Sequence, residues 1–104
     1  MVATPSQGEI WWAEIEELRR PVLVVTRSEA VAVLTAIVVA PVTRMVRDIP
    51  TEIPLGPDEG LTAECAATFD NLQRIRRSAL TTRVGTLGSR RHELCVALSA
   101  LADC

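Results

Sequence analysis

The chain has 104 residues with 11 basic and 13 acidic side chains, and its formal charge of −2 at pH 7 argues against a purely electrostatic nucleic-acid binder. Its length fits one domain, residues 1–104, with a single modest core, and the 48% apolar content points to surface that meets a second subunit. No run approaches the ~18 apolar residues of a spanning helix, and the first ten residues hold no basic stretch of a secretory signal, so the chain reads as cytoplasmic with no membrane partner.

Residues 1–7 are polar, contain a proline and are expected to be flexible. Glu9–Ile15 is rich in β-prone side chains and predicts a first strand, with Trp11 and Trp12 on opposite faces. One tryptophan belongs to the core; the other is free for a subunit interface or a groove where a base stacks. Glu16–Arg19 is a short connection. Pro21–Arg27 is a continuous apolar run that predicts a buried strand. Ser28 caps a short turn or helix through Ala32, and Leu34–Val42, dense in Val and Ile, predicts a second buried strand. Thr43–Pro50 reads as a loop carrying Arg44 and Arg47. Thr51–Leu55 predicts an edge strand, because Pro54 cannot donate to a ladder. Gly56–Gly60 is turn chemistry, Cys65–Leu72 a further strand, Gln73–Arg77 a basic segment and Leu80–Leu87 the last strand. Ser89 then caps a helix through Ala102, with Leu94, Leu98 and Leu101 as its apolar stripe and Arg90, Arg91 and Glu93 toward solvent. Short strands followed by one terminal helix predict a mostly β fold, a compact antiparallel barrel.

Every cation other than the single histidine is an arginine, a planar fork suited to bidentate phosphate contacts. Residues 1–18 hold four acids and no Arg; residues 19–91 hold eleven Arg and seven acids; residues 92–104 hold two acids. The middle of the chain is therefore basic by four charges between acidic ends, which leaves room for a local phosphate-binding face. Cys65, Cys95 and Cys104 stand at long spacings with no CxxC or Cys/His pattern, so neither a disulfide framework nor a metal site is expected. His92 falls in the first turn of the last helix, where the dipole disfavours imidazolium. A chain whose only histidine is so placed needs chemistry without histidine.

Arg20 and Thr43 meet that need in kind. Arg20 precedes Pro21, which biases it toward extended backbone, and its fork can hold two phosphate oxygens as charge develops. Thr43 ends the second long strand with one hydroxyl to donate. Asp70 could serve as a general base if burial raises its pKa, or simply bond turn amides. Arg19, Arg44, Arg47, Arg74, Arg76 and Arg77 are the candidates for an RNA track, with solvated loop charge as the plainer reading.

In order, Gly8-Glu9-Ile10-Trp11-Trp12, Arg20-Pro21-Val22-Leu23-Val24-Val25, Ala40-Pro41-Val42-Thr43, Pro50-Thr51-Glu52-Ile53-Pro54-Leu55 and Phe69-Asp70-Asn71-Leu72 resemble the MazF/PemK (Kid) family of bacterial toxins. The resemblance extends to Gly85-Thr86-Leu87 before a C-terminal helix. It implies a small SH3-like antiparallel barrel (CcdB/Kid-like) that forms a homodimer. It also implies a sequence-specific endoribonuclease that uses no metal or cofactor. Such an enzyme cuts single-stranded RNA by attack of the 2′-hydroxyl, leaving a cyclic phosphate and a 5′-hydroxyl. A cognate antitoxin with an acidic, disordered tail is implied as well. Carried over by position, Arg20 matches the arginine of the Arg-Pro-Val-Leu motif, Thr43 the threonine that ends the second long strand, and Asp70 an aspartate that some members use as a base. Two other readings use the same barrel: a CcdB-like toxin that inhibits gyrase through protein contact, and a non-catalytic SH3-like interaction module. The first depends on apolar C-terminal residues, and Leu101-Ala102-Asp103-Cys104 has no aromatic. That reading also leaves Arg20 and Thr43 without a task.

Overall fold

The computed structural model describes residues 4–102. Its strands are β1 (Glu9–Ile15), β2 (Leu18–Val24), β3 (Ala36–Thr43), β4 (Glu52–Leu55), β5 (Cys65–Thr68), β6 (Gln73–Arg76) and β7 (Leu80–Thr86). The helices are α1 (Ser28–Val31) and α2 (His92–Leu101). All pairings are antiparallel, in the order β4-β5-β3-β2-β1-β7, with β6 on the same edge of β3 as β5. The sheet curls into a half-barrel with the C-terminal helix α2 against β4 and the turn that follows β5. Two register shifts between β1 and β7, at Ile10/Trp11 and Trp12/Ala13, supply part of that curl.

Strand periodicity explains the unbroken apolar runs in the second half of β2 and in β3: both faces are buried there. Ile10, Leu23 and Ala40 lie across from one another and join Ile53, Phe69, Leu94 and Ala97 in one core. Trp11, Val22, Val24 and Val39 point to the other side and pack with Val31, Ile37, Ile75 and Leu80. Phe69 and Ile10 are fully buried, and burying each such side chain contributes roughly 1.5–3 kcal/mol.

Several elements differ from the sequence expectation. Strand β2 begins at Leu18, not Pro21, because Ile15 pairs with Leu18 and only Glu16 and Glu17 make the turn. Both have positive φ, 49° and 67°, a type I′ geometry that glutamate sequences do not advertise. The strand expected over Cys65–Leu72 stops at Thr68, and Phe69–Asn71 forms a 3₁₀ turn. The basic segment is itself a strand, β6, paired with the first half of β3. Helix α2 starts at His92 after a separate 3₁₀ turn, Gly88–Arg90, so Ser89 is not its cap. Of its expected stripe, Leu94 is buried, Leu98 half-buried and Leu101 exposed. At the N-terminus, Pro5 is buried, the Gln7 N–H donates to Ser28 Oγ (3.0 Å), and its side-chain amide donates to the Val25 carbonyl (2.9 Å).

The turn Pro57–Glu59 lies hard against β7. A Cβ on Gly85 would collide with the Glu59 carbonyl, and one on Gly60, whose φ is +89°, would collide with the Val84 carbonyl. The two glycines let backbone meet backbone there, and the loop that follows becomes one wall of the groove described next.

Candidate active site

The start of β2 and the end of β3 run side by side at one edge of the sheet. Their ladder pairs Val24 with Val39, Leu23 with Ala40 and Val22 with Pro41. The same register carried two residues further sets Arg20 across from Thr43. Both follow residues of the Trp11/Val22 face in the strand alternation, and Arg20 is exposed while Thr43 is half-buried. The Thr43 hydroxyl oxygen accepts the Met45 N–H at 3.1 Å, which leaves its own proton free to donate outward.

Arg19, one residue earlier, belongs to the opposite face. Its guanidinium lies over the Trp12 ring, 4.7 Å from the centroid. The contact holds the fork by cation–π attraction, and both side chains line a groove of about 440 Å³. Pro21, Val42, Thr43 and Arg44 line one side of this groove, and Gly60, Leu61, Cys65 and Val84 the other. The Cys65 thiol is pushed above its ordinary value, first by burial and then by the Glu59 charge, against the opposing pull of Arg44. It is therefore a neutral wall residue, bonded weakly to the Leu55 carbonyl, and not a nucleophile.

The predicted site residues thus separate into groups. Arg19, Arg20, Thr43 and Arg44 share the strand-end edge. Arg47 is committed elsewhere: its N–H and guanidinium hold the buried Glu52 carboxylate at 2.7 and 3.5 Å, anchoring the 44–51 loop to β4. Arg74 and Arg76 stand exposed on β6 beside Val33, Leu34 and Thr35. Arg77 donates to the Val31 carbonyl at the end of α1. Asp70 is exposed and accepts the Thr51 hydroxyl at 2.7 Å. It lies four residues beyond Ala66, the β5 partner of Thr43, a separation on the order of 10 Å. His92 faces the Ser89 carbonyl, away from this edge. Sequence reasoning found the arginines and left open which of Trp11 and Trp12 faces a groove; it missed the far wall, Leu61 and Val84, whose only signal was the glycine-rich turn ahead of it. Among the described residues, no cluster of three or more His, Cys, Asp or Glu side chains is arranged to hold a metal, and no helix is long and apolar enough to cross a membrane.

The chain is similar to known proteins over nearly its whole length. A family model described as PemK-like, MazF-like toxin of type II toxin–antitoxin system matches residues 6–101. The chain is 35% identical over 107 residues to the probable endoribonuclease MazF5 of Mycobacterium tuberculosis, covering 100% of this chain and 98% of that protein. It is also 35% identical over 100 residues to the probable endoribonuclease MazF2 of the same species, covering 94% of this chain and 98% of that one. Among solved structures, the Mycobacterium tuberculosis toxin MazF-mt6 superposes with a TM-score of 0.83 at 33% identity over 91% of this chain and 96% of that one. An endoribonuclease in complex with its cognate antitoxin, from a mycobacterial species, shares the fold at 20% identity with a TM-score of 0.79, covering 93% of both chains. The curled sheet, the arginine–threonine strand ends and these matches lead to one assignment: the chain belongs to the PemK-like, MazF-like toxins of type II toxin–antitoxin systems.

Proposed function

We propose that this protein is the endoribonuclease toxin of such a system and that Arg20 and Thr43 carry its chemistry. The observation behind the reading is their shared place at the strand-end edge, beside a groove with a stacked arginine and a tryptophan. The substrate is single-stranded RNA, whose splayed bases can enter grooves on either side of an exposed phosphate. The 2′-hydroxyl gives its proton to water as its oxygen attacks phosphorus, the bond to the 5′-oxygen breaks, and that oxygen takes a proton from water, leaving a cyclic phosphate and a 5′-hydroxyl. Arg20 faces the non-bridging oxygens as negative charge grows on them, and the Thr43 hydroxyl donates to one of them. This scheme uses no metal ion. It also gives Asp70 no proton to move, because that carboxylate is bonded to Thr51.

The same basic edge suits an acidic, disordered antitoxin segment, so antitoxin and RNA compete for it. A homodimer is part of the reading too. Val33, Met45, Val46 and Val96 are large apolar side chains that one copy leaves exposed.

The test is cleavage of RNA in EDTA by the wild-type protein and by Arg20→Ala and Arg20→Lys. Arg20→Ala should lose on the order of 10²–10³ in rate. Arg20→Lys should not recover it, since a point charge does not reproduce the fork. Undiminished cleavage by folded Arg20→Ala would reject the assignment of Arg20.

A further inference from the structure

A second cavity, of about 620 Å³, opens on the same face of the sheet as Arg20. In the ladders, Ala13 lies between Arg20 of β2 and Leu80 of β7. Leu80 is a lining residue of the cavity, so its floor begins about two strand spacings, ~10 Å, from the Arg20 backbone. Trp11 and Leu80 make that floor and are nearly fully buried. Thr35 and Ser78 stand at the rim as exposed hydroxyls with no hydrogen bond to protein among the described residues. Arg77 completes the wall. Its Nη1 donates to the Val31 carbonyl at 2.6 Å, which fixes the guanidinium, and its other nitrogens donate to no protein group among the described residues. Trp11 is held in turn: its indole N–H donates to Glu9 at 3.1 Å, and Glu9 is clamped by Arg83 at 2.8 Å.

We propose that this cavity is a base-specificity subsite that receives a nucleobase flanking the scissile phosphodiester. An apolar, rigid floor takes the flat face of a base. Two hydroxyls and a fixed guanidinium read its hydrogen-bonding edge. The cavity floor starts about two strand spacings, ~10 Å, from Arg20 on the same face, a reach that lets a strand whose phosphate sits on that arginine place a flanking base there. The groove at Trp12 and Arg19 lies on the opposite face, so the two recesses take bases from the two sides of the cut. Thr35 and Ser78 are both exposed, so replacing them tests recognition with little effect on the core. The inference rests on the ribonuclease reading, and its test has an arm that needs no cleavage.

In the first arm, a random pool of single-stranded RNA is cut by the wild-type protein, Thr35→Val and Ser78→Ala, and the new 5′-hydroxyl ends are sequenced. Each variant should lose base preference at one flanking position and about tenfold in kcat/KM on the preferred sequence, the worth of one hydrogen bond. In the second arm, a random pool of 2′-O-methyl RNA, which cannot be cut because the attacking hydroxyl is blocked, is selected for binding by the wild-type protein and by Ser78→Ala. Enrichment of one base at one position, abolished by Ser78→Ala, supports the subsite even if the cleavage reading itself fails. Wild-type cleavage and binding profiles in both variants overturn it. So does a pair of variants that leave RNA profiles intact but weaken an acidic antitoxin peptide, since the cavity would then be a protein-docking site.

Discussion

Arg90, which the helical pattern places toward solvent, is tied down at three points. Its guanidinium donates to both oxygens of Glu93 at 2.7 and 3.0 Å, to Glu59 at 3.1 Å and to the Pro54 carbonyl at 2.7 Å. The Glu59 side chain is only 8% exposed, and its other oxygen accepts the Gly56 N–H at 2.7 Å. Arg90→Ala strips that carboxylate of its counter-charge. Breaking a buried pair costs about 3–5 kcal/mol, but Arg90 is itself 32% exposed and water can reach the gap, so about 2–3 kcal/mol is expected. For a domain of this size that is a fall in Tm of roughly 10–20 °C. Urea unfolding of wild type, Arg90→Ala, Glu59→Gln and the double variant isolates the coupling. The double variant should lose less than the sum of the singles. Acid should narrow the gap. Glu93 is held below the ordinary value of 4.5 chiefly by its hydrogen bond from Arg90. A depressed carboxylate stabilises the fold above that value, and its contribution fades as pH drops through the lower folded one. Wild type and Arg90→Ala should therefore converge below about pH 4.5. A loss under about 0.5 kcal/mol at pH 7 would refute the reasoning, since it is the size of an ordinary surface change.

Thiol labelling should separate two cysteines: native protein treated with maleimide and mapped by peptide mass should carry the label on exposed Cys95 and not on buried Cys65. Equal labelling rates would contradict the neutral, walled-in Cys65. Replacing Glu16-Glu17 by Asn-Gly should raise stability by about 1–2 kcal/mol, because both positions have positive φ and the new pair suits a type I′ turn. A thermal melt that does not move, or moves down, would contradict it.

The long apolar strands were legible because a strand buried on both faces leaves a continuous run, as in Val22–Val24 and Ile37–Ala40. Pro54 marked β4 as an edge for a local reason, its missing donor, and β4 does end the sheet order. What stayed hidden depends on partners far along the chain. Strand β6 alternates Gln73, Arg74, Ile75 and Arg76, and only Ile75 is buried, so its strand character comes from pairing with Ile37 and its neighbours. The site divided in the same way. Arg20 and Thr43 could be proposed from their chemistry and strand ends, but their common register needs the β2–β3 ladder. Arg47 and Arg77 looked like free cations because nothing local reveals Glu52 or the Val31 carbonyl as their partners.

Those partners also resolve the tension between a net charge of −2 and a polyanionic substrate. Among the described residues, Arg47, Arg83 and Arg90 are the arginines in salt bridges, and they hold Glu52, Glu9, Glu59 and Glu93. Four of the acids in the formal sum are thus engaged by three arginines inside the scaffold, and three of them, Glu9, Glu52 and Glu59, brace β1, the 44–51 loop and the groove wall. Arg19, Arg20 and Arg44 carry no such bridge and meet at one edge. Within a Debye length of about 8 Å at physiological salt, an approaching phosphate feels that edge and not the whole-molecule charge. The acidic hairpin tip, Glu16 and Glu17, stands at the end of the same strands and opposes it. On the proposed ribonuclease function, affinity for RNA follows from which arginines the fold leaves unpaired, a quantity that composition alone does not contain.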